Sequence, residues 1–142
     1  MDTVSKSKRS EMMRAIKSRD SKIELTVRRM LHKAGFRFRL HRKDLPGNPD
    51  LVFPGRKKVV FVHGCFWHQH PDPNCRISHR PSSNTKYWHP KLERTIARDA
   101  RNLSTLREQG WKALVLWECQ MRDNDLLLNQ LIQFLSDKTV DA

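Results

Sequence analysis

The sequence predicts an α/β domain in which helices flank a mixed sheet, and three observations carry that expectation. The run "KKVVFV" at 57–62 is rich in β-branched residues and reads as a buried strand. Segments on either side of it carry apolar residues at helical spacing instead. The elements follow one another as α-α-β-β-β-α-β-α, so a strand, a helical crossover and a further strand close one sheet under packed helices. A chain of 142 residues is long enough to bury a core as a single domain, spanning 1–142.

The first helix is read over "SEMMRAIKS", with Ser10 as its cap. A second opens on the capping box formed by Ser21 and Glu24. Ile23, Val27, Met30, Leu31 and Ala34 give it one apolar stripe, and Gly35 ends it. "FRFRLH" alternates apolar and basic residues as a strand does. A turn through Pro46, Gly47 and Pro49 leads into "DLVF", and Pro54–Gly55 turns the chain into "KKVVFV". Residues 71–86 read as loop. A long helix is expected from about Pro90, which suits a first helical position, to Gly110, with Leu92, Ile96, Ala100, Leu103 and Leu106 on one face. "WKALVLWEC" is read as a central strand, and Asp123 as the cap of a last helix carrying Leu127, Leu128, Leu131, Ile132 and Leu135.

Charge is the strongest bulk signal. Lys and Arg number 28 against 15 Asp and Glu, a net charge of +13. Such a field attracts polyanions, and the basic residues crowd before Pro46, where residues 1–20 form a basic N-terminal arm suited to tracking phosphates. No apolar run approaches the length of a membrane span and the N-terminus lacks a signal-peptide core, so the expected location is the cytoplasm. The 3 cysteines, an odd number, argue against a disulfide framework.

"HGCFWHQH", residues 63–70, concentrates the chemistry. Cys65, His70 and Cys75 recur at five-residue intervals, and Cys119 follows at the end of the last strand. If that strand runs parallel to "KKVVFV", Cys119 meets the loop at the same sheet edge. Three thiolates and one imidazole fill a tetrahedral Zn²⁺ and leave no position for a reacting water, so the site is read as structural. His68 and His79 remain alternatives to His70. His63 and His68 are then free for proton transfer or for contact with a phosphate. Asp50, set after a rigid turn at the mouth of a strand, is the candidate carboxylate for Mg²⁺, with the backbone carbonyl of Val62 beside it.

"LPGNPDLVF", "FVHGCFWHQH", "NTKYW" and "ARDARNLSTLREQGWKALVLWEC" together resemble the very short patch repair endonucleases, over about Ser5 to Arg122. The resemblance implies a restriction-endonuclease-like fold of the PD-(D/E)xK superfamily. It also implies Mg²⁺-dependent nicking of one strand 5′ of the thymine in a T:G mismatch, as left by deamination of 5-methylcytosine. By that likeness Asp50, His63, His68 and Glu24 are catalytic, although the capping box explains Glu24 equally well. Phe66, Trp67 and Trp88 would wedge into the base stack, where a mismatch lowers the cost of unstacking. Met13 and Arg14 would belong to an arm crossing the other groove. Cys65, His70, Cys75 and Cys119 match a structural zinc site. The likeness further implies a monomer with a MutL-type protein as functional partner.

The chain departs from the family at three points. Val62 replaces a threonine, four residues ("PDPN") separate His70 from Cys75, and of the lysine and asparagine that the helix after "YW" usually offers toward the mismatch, Lys91 is present but Thr95 stands at the asparagine position. Two other readings stay open: a zinc-containing module that binds distorted duplex without cutting it, and a nuclease for a different mismatch.

Overall fold

A computed structural model describes residues 22–136; Met13, Arg14, the expected first helix and Ser21 lie outside them. Helix α1 covers residues 22–33. It is followed by strands β1 (Arg39–Leu40), β2 (Leu51–Phe53) and β3 (Lys58–His63), helix α2 (Thr85–Glu108), strand β4 (Lys112–Trp117) and helix α3 (Asn124–Ser136). The sheet order is β1-β2-β3-β4. The first two pairings are antiparallel and β3 pairs with β4 in parallel, Val62 opposite Leu116 and His63 opposite Trp117.

The period of two along each strand assigns its residues to opposite faces. Leu51, Phe53, Val60, Val62 and Leu116 meet Ile23, Val27 and Leu31 of α1 and Leu127, Leu131 and Leu135 of α3. Val52, Val59 and Phe61 face the other way, onto Leu106 and Leu103 of α2. Every residue of β3 is buried, which explains why its sequence is an apolar run rather than an alternation.

The helix ends are fixed locally. Gly35 and Gly110 have φ of +92° and +86°, and each closes its helix with a Schellman pair of bonds. At α2 these run from the Gly110 N–H to the Arg107 carbonyl and from the Trp111 N–H to that of Leu106, both 3.0 Å. Asp123 caps α3 as expected, its Oδ1 accepting from the Leu126 N–H at 3.0 Å. At the other end of α3, buried Lys58 donates to the Phe134 carbonyl (2.6 Å) and Arg56 to that of Leu135 (2.9 Å). Two cations thus meet the negative end of the helix dipole.

Four expectations need correction. β1 is only two residues long and exposed, because most of the alternation in "FRFRLH" lies outside any pairing. α2 begins at Thr85, so Pro90 sits inside the helix. Burial of Trp88 in that opening turn offsets the one hydrogen bond Pro90 removes. β4 is an edge strand, not a central one; its apolar run reflects helices over both faces, not strands on both sides. Cys119 lies in the 3₁₀ turn Glu118–Arg122 that follows the strand. Among the described residues no helix is long and apolar enough to cross a membrane.

Leu131 is fully buried in the contact between α3 and the sheet. Leu131→Ala should lower unfolding stability by about 2–5 kcal/mol in urea titrations, as cavity-forming leucine truncations do.

Candidate active site and metal cluster

The antiparallel β2–β3 pair and the parallel β3–β4 pair bring Asp50, His63 and Trp117 to one end of the sheet. Asp50 directly precedes β2 and lies on the α2 face by alternation. Its Oδ2 accepts from the Val62 backbone N–H at 2.6 Å, prolonging the ladder by a side chain. This bond clamps the carboxylate against β3, in a cleft of about 650 Å³ that Glu24, Lys43, His63, His68 and Asp99 also line.

Glu24 reaches this cleft from α1, so it faces Asp50 as well as standing in the helix's first described turn. Its Oε2 lies 3.2 Å from His41 Nε2 and is paired with Arg28. His41 Nδ1 is 3.9 Å from Asp50 Oδ1. Burial drives the Asp50 carboxyl up to about 7, with Glu24 adding to the rise through a hydrogen bond and like charge; the Val62 N–H and His41 pull the other way. Glu24, His41 and Asp50 each offer one ligand atom within 4.8 Å of the others, a spacing that fits a divalent cation.

On the opposite side of Asp50, the His63 and His68 rings stack at 3.8 Å and 7°. Asp99, on α2, holds His68 Nδ1 at 2.7 Å. That bond turns His68 Nε2 away from Asp99. Burial lowers His63 to a pKa of about 3, helped by the charge on His68 and opposed by Asp99, so His63 is neutral at pH 7. His63 Nδ1 is buried without a hydrogen-bond partner among the described residues.

The ring contacts continue through Trp117. Its indole meets His63 edge-on at 5.1 Å and stacks on His70 at 4.4 Å. His70 in turn belongs to a cluster with Cys65, Cys75 and Cys119 whose ligand atoms lie within 4.8 Å of one another. His70 Nδ1 is 3.8 Å from Cys65 Sγ and 3.3 Å from Cys119 Sγ. Those separations approach the edges of about 3.6–3.8 Å expected of a tetrahedron built on Zn–S and Zn–N bonds. Burial pushes the Cys65 and Cys119 thiols up. Burial acts the same way on Cys75, but hydrogen bonds with His70 and Ser78 outweigh it and bring that thiol down to about 6. The expected ligand set therefore converges, with His70 rather than His68 or His79 in the fourth place; His68 is engaged with Asp99 instead.

The aromatic residues form one cluster. Phe66 and Trp67 are half-buried and pack on Trp88 at 5.2 and 5.9 Å. Trp88 is only 5% exposed, so it backs the other two rings rather than standing out beside them. Lys91 lies over Trp67 and Tyr87, and the Thr95 hydroxyl donates to the Lys91 carbonyl at 3.1 Å. Trp67, Lys91 and Thr95 line a second groove with Arg94, Arg98 and Arg101.

Sequence reasoning missed His41, Arg28 and Asp99. The first two carry no local signal, since pairing of β1 with β2 and the packing of α1 decide where they fall. Asp99 had one: it stands in the "ARDAR" segment at the depth of the helix that must face the sheet end.

The family model described as DNA mismatch endonuclease Vsr matches residues 1–74. Type II nicking enzyme V.XorIIP of Xanthomonas oryzae pv. oryzae is 48% identical over 122 residues, covering 86% of this chain and 88% of that protein. DNA mismatch endonuclease Vsr of Escherichia coli is 38% identical over 131 residues, 92% of this chain and 82% of its own length. Type II nicking enzyme V.NmeAIP of Neisseria meningitidis is 39% identical over 139 residues, 96% and 97% of the two chains.

The raised Asp50 carboxyl makes a prediction about stability. The folded chain binds this proton more tightly than the unfolded one, so its contribution is full below about pH 4 and is lost as pH rises to about 7. Asp50→Asn cannot ionise. Relative to the native chain it should gain stability steadily over that interval and hold the gain above it, as read from urea midpoints. A difference that stays constant with pH contradicts the assignment.

Proposed function

The chain belongs to the Vsr family of DNA mismatch endonucleases, and from that membership we propose that it nicks one strand of duplex DNA 5′ of the thymine in a T:G mismatch, with Mg²⁺. One observation carries the reading. A single cleft holds Asp50 clamped to Val62 on one side and a neutral His63 stacked on an Asp99-bonded His68 on the other.

Asp50 and Glu24, with the Val62 carbonyl at the same strand end, are the groups that would hold Mg²⁺. Bound there, the ion supplies charge stabilisation to the phosphoryl oxygens. The protein's own groups do the rest. His68, oriented by Asp99, takes the proton of the attacking water through Nε2 as the P–O bond to the departing strand end breaks, and the departing oxygen takes up a proton from solvent. His63, neutral and buried, gives His68 a fixed ring to stack on. Asp99 is thus a positioning residue, while Asp50, His63 and His68 meet substrate or ion.

The aromatic cluster supports insertion beside the mismatch. Phe66 and Trp67 are the rings presented, and buried Trp88 braces them. The basic groove of α2 suits the DNA backbone. Thr95 favours a second reading of specificity: its hydroxyl is already given to the Lys91 carbonyl, so Lys91 is left as the polar reader, and discrimination among mismatches would be looser. The Cys65, His70, Cys75 and Cys119 cluster is proposed to hold a structural Zn²⁺.

Pro49–Asp50 at the mouth of β2 supports a place in the PD-(D/E)xK superfamily, although β3 ends on His63 rather than a carboxylate-x-lysine triplet. By the same likeness the protein would work as a cytoplasmic monomer with a MutL-type partner.

Variants test the chemistry. Asp50→Ala should abolish Mg²⁺-dependent nicking while leaving binding to the mismatched duplex in place; full activity in that variant would sink the proposal. Asp99→Asn should slow single-turnover nicking by about 10²-fold or more, the range of lost acid–base assistance, with little change in DNA affinity. Metal analysis should find one zinc per chain, and Cys119→Ser should lose both the zinc and much of the thermal stability.

A further inference from the structure

The Asp50 side of the cleft contains an imidazole that the proposed chemistry does not use. His41 stands between the two carboxylates, Nε2 3.2 Å from Glu24 Oε2 and Nδ1 3.9 Å from Asp50 Oδ1; only one nitrogen can ligate a given ion, and one ligand atom from each of the three residues lies within 4.8 Å of the others. Cis ligands of an octahedral ion bound at about 2.1 Å lie about 3.0 Å apart, close to the Glu24–His41 separation. Asp50 contributes the complementary half of the geometry: its Oδ2 is held by the Val62 N–H, which leaves Oδ1 directed at the shared space.

A cation already occupies that space. Arg28, one turn beyond Glu24 on α1, is paired with Glu24 Oε2 and lies 3.3 Å from His41 Nε2. The position therefore attracts positive charge, and Arg28 is its present occupant. A divalent ion would have to displace it.

We propose that His41 is a ligand of the metal site, completing a Glu24–His41–Asp50 set whose nitrogen donor selects Mn²⁺ over Mg²⁺, and that Arg28 competes with the ion for this set. The inference rests on the reading of Asp50 as the metal-holding carboxylate. Mg²⁺ favours an all-oxygen shell and keeps its waters, whereas an imidazole shifts preference toward first-row transition ions. Two carboxylates and one imidazole form such a mixed set. His41 is the more exposed of the three residues, so replacing it leaves the core intact.

The test measures binding without DNA or turnover. Free Mn²⁺ is followed by electron paramagnetic resonance on the zinc-loaded full chain, and Mg²⁺ by its competition. The native chain should bind Mn²⁺ at least about tenfold more tightly than Mg²⁺. His41→Gln, which offers an oxygen for the nitrogen, should weaken Mn²⁺ by about tenfold or more, a loss seen even for outer partners of metal ligands, and leave Mg²⁺ nearly unchanged. Arg28→Gln should move the other way and tighten both ions. Unchanged Mn²⁺ affinity in His41→Gln, or equal weakening of Mn²⁺ and Mg²⁺, overturns the ligand role. Unchanged affinity in Arg28→Gln overturns the placement of the ion between Glu24 and His41. Loss of nicking in Asp50→Ala decides the catalytic reading separately, so either conclusion can fail alone.

Discussion

Parallel pairing of β3 with β4 sets His63 beside Trp117 and so brings two distant parts of the chain to one sheet end. From that register the rest follows. The loop leaving β3 returns within a few residues to place His70 on the other face of Trp117, and the turn leaving β4 delivers Cys119 to the same loop. Cys65 Sγ accepts from the Cys119 backbone N–H at 3.4 Å, so a hydrogen bond joins the two exits. A one-residue slip would turn every side chain of β4 to the opposite face and separate the histidines from the cysteine cluster.

The cleft sets its charges against each other. Asp50 and Glu24 bring two carboxyls together in a strongly basic chain, and the pairing of Glu24 with Arg28 offsets part of their repulsion. On the far side, His63 is kept neutral by burial while His68 is held by a carboxylate. Burial of one ring and an Asp99 partner for the other give the two stacked imidazoles different surroundings. Carboxylates thus gather on one flank of the cleft and imidazoles on the other.

Much of this was legible in sequence. The strand expected at 57–62, found one residue later at Lys58–His63, the Asp123 cap, Gly35 and Gly110 all rest on local chemistry. The convergence of Cys65, His70, Cys75 and Cys119 was readable because their spacing and the parallel pairing both had to hold. What local pattern could not supply was neighbourhood. Pro90 read as a helix start because nothing local reports that Trp88 is buried behind it. β4 read as central because an apolar run cannot distinguish neighbouring strands from covering helices. His41 and Asp99 take their significance only from the side chains that packing brings to them, Glu24 and Asp50 for the one and His68 for the other.

The most direct test of the central claim is strand cleavage of end-labelled duplexes identical except for one central pair, with and without added Mg²⁺. A Mg²⁺-dependent nick 5′ of the thymine in the T:G duplex, absent from the matched one, is the predicted result. Tight binding to the mismatched duplex with both strands left intact in Mg²⁺ would contradict it and return the protein to a module that recognises distortion without cutting.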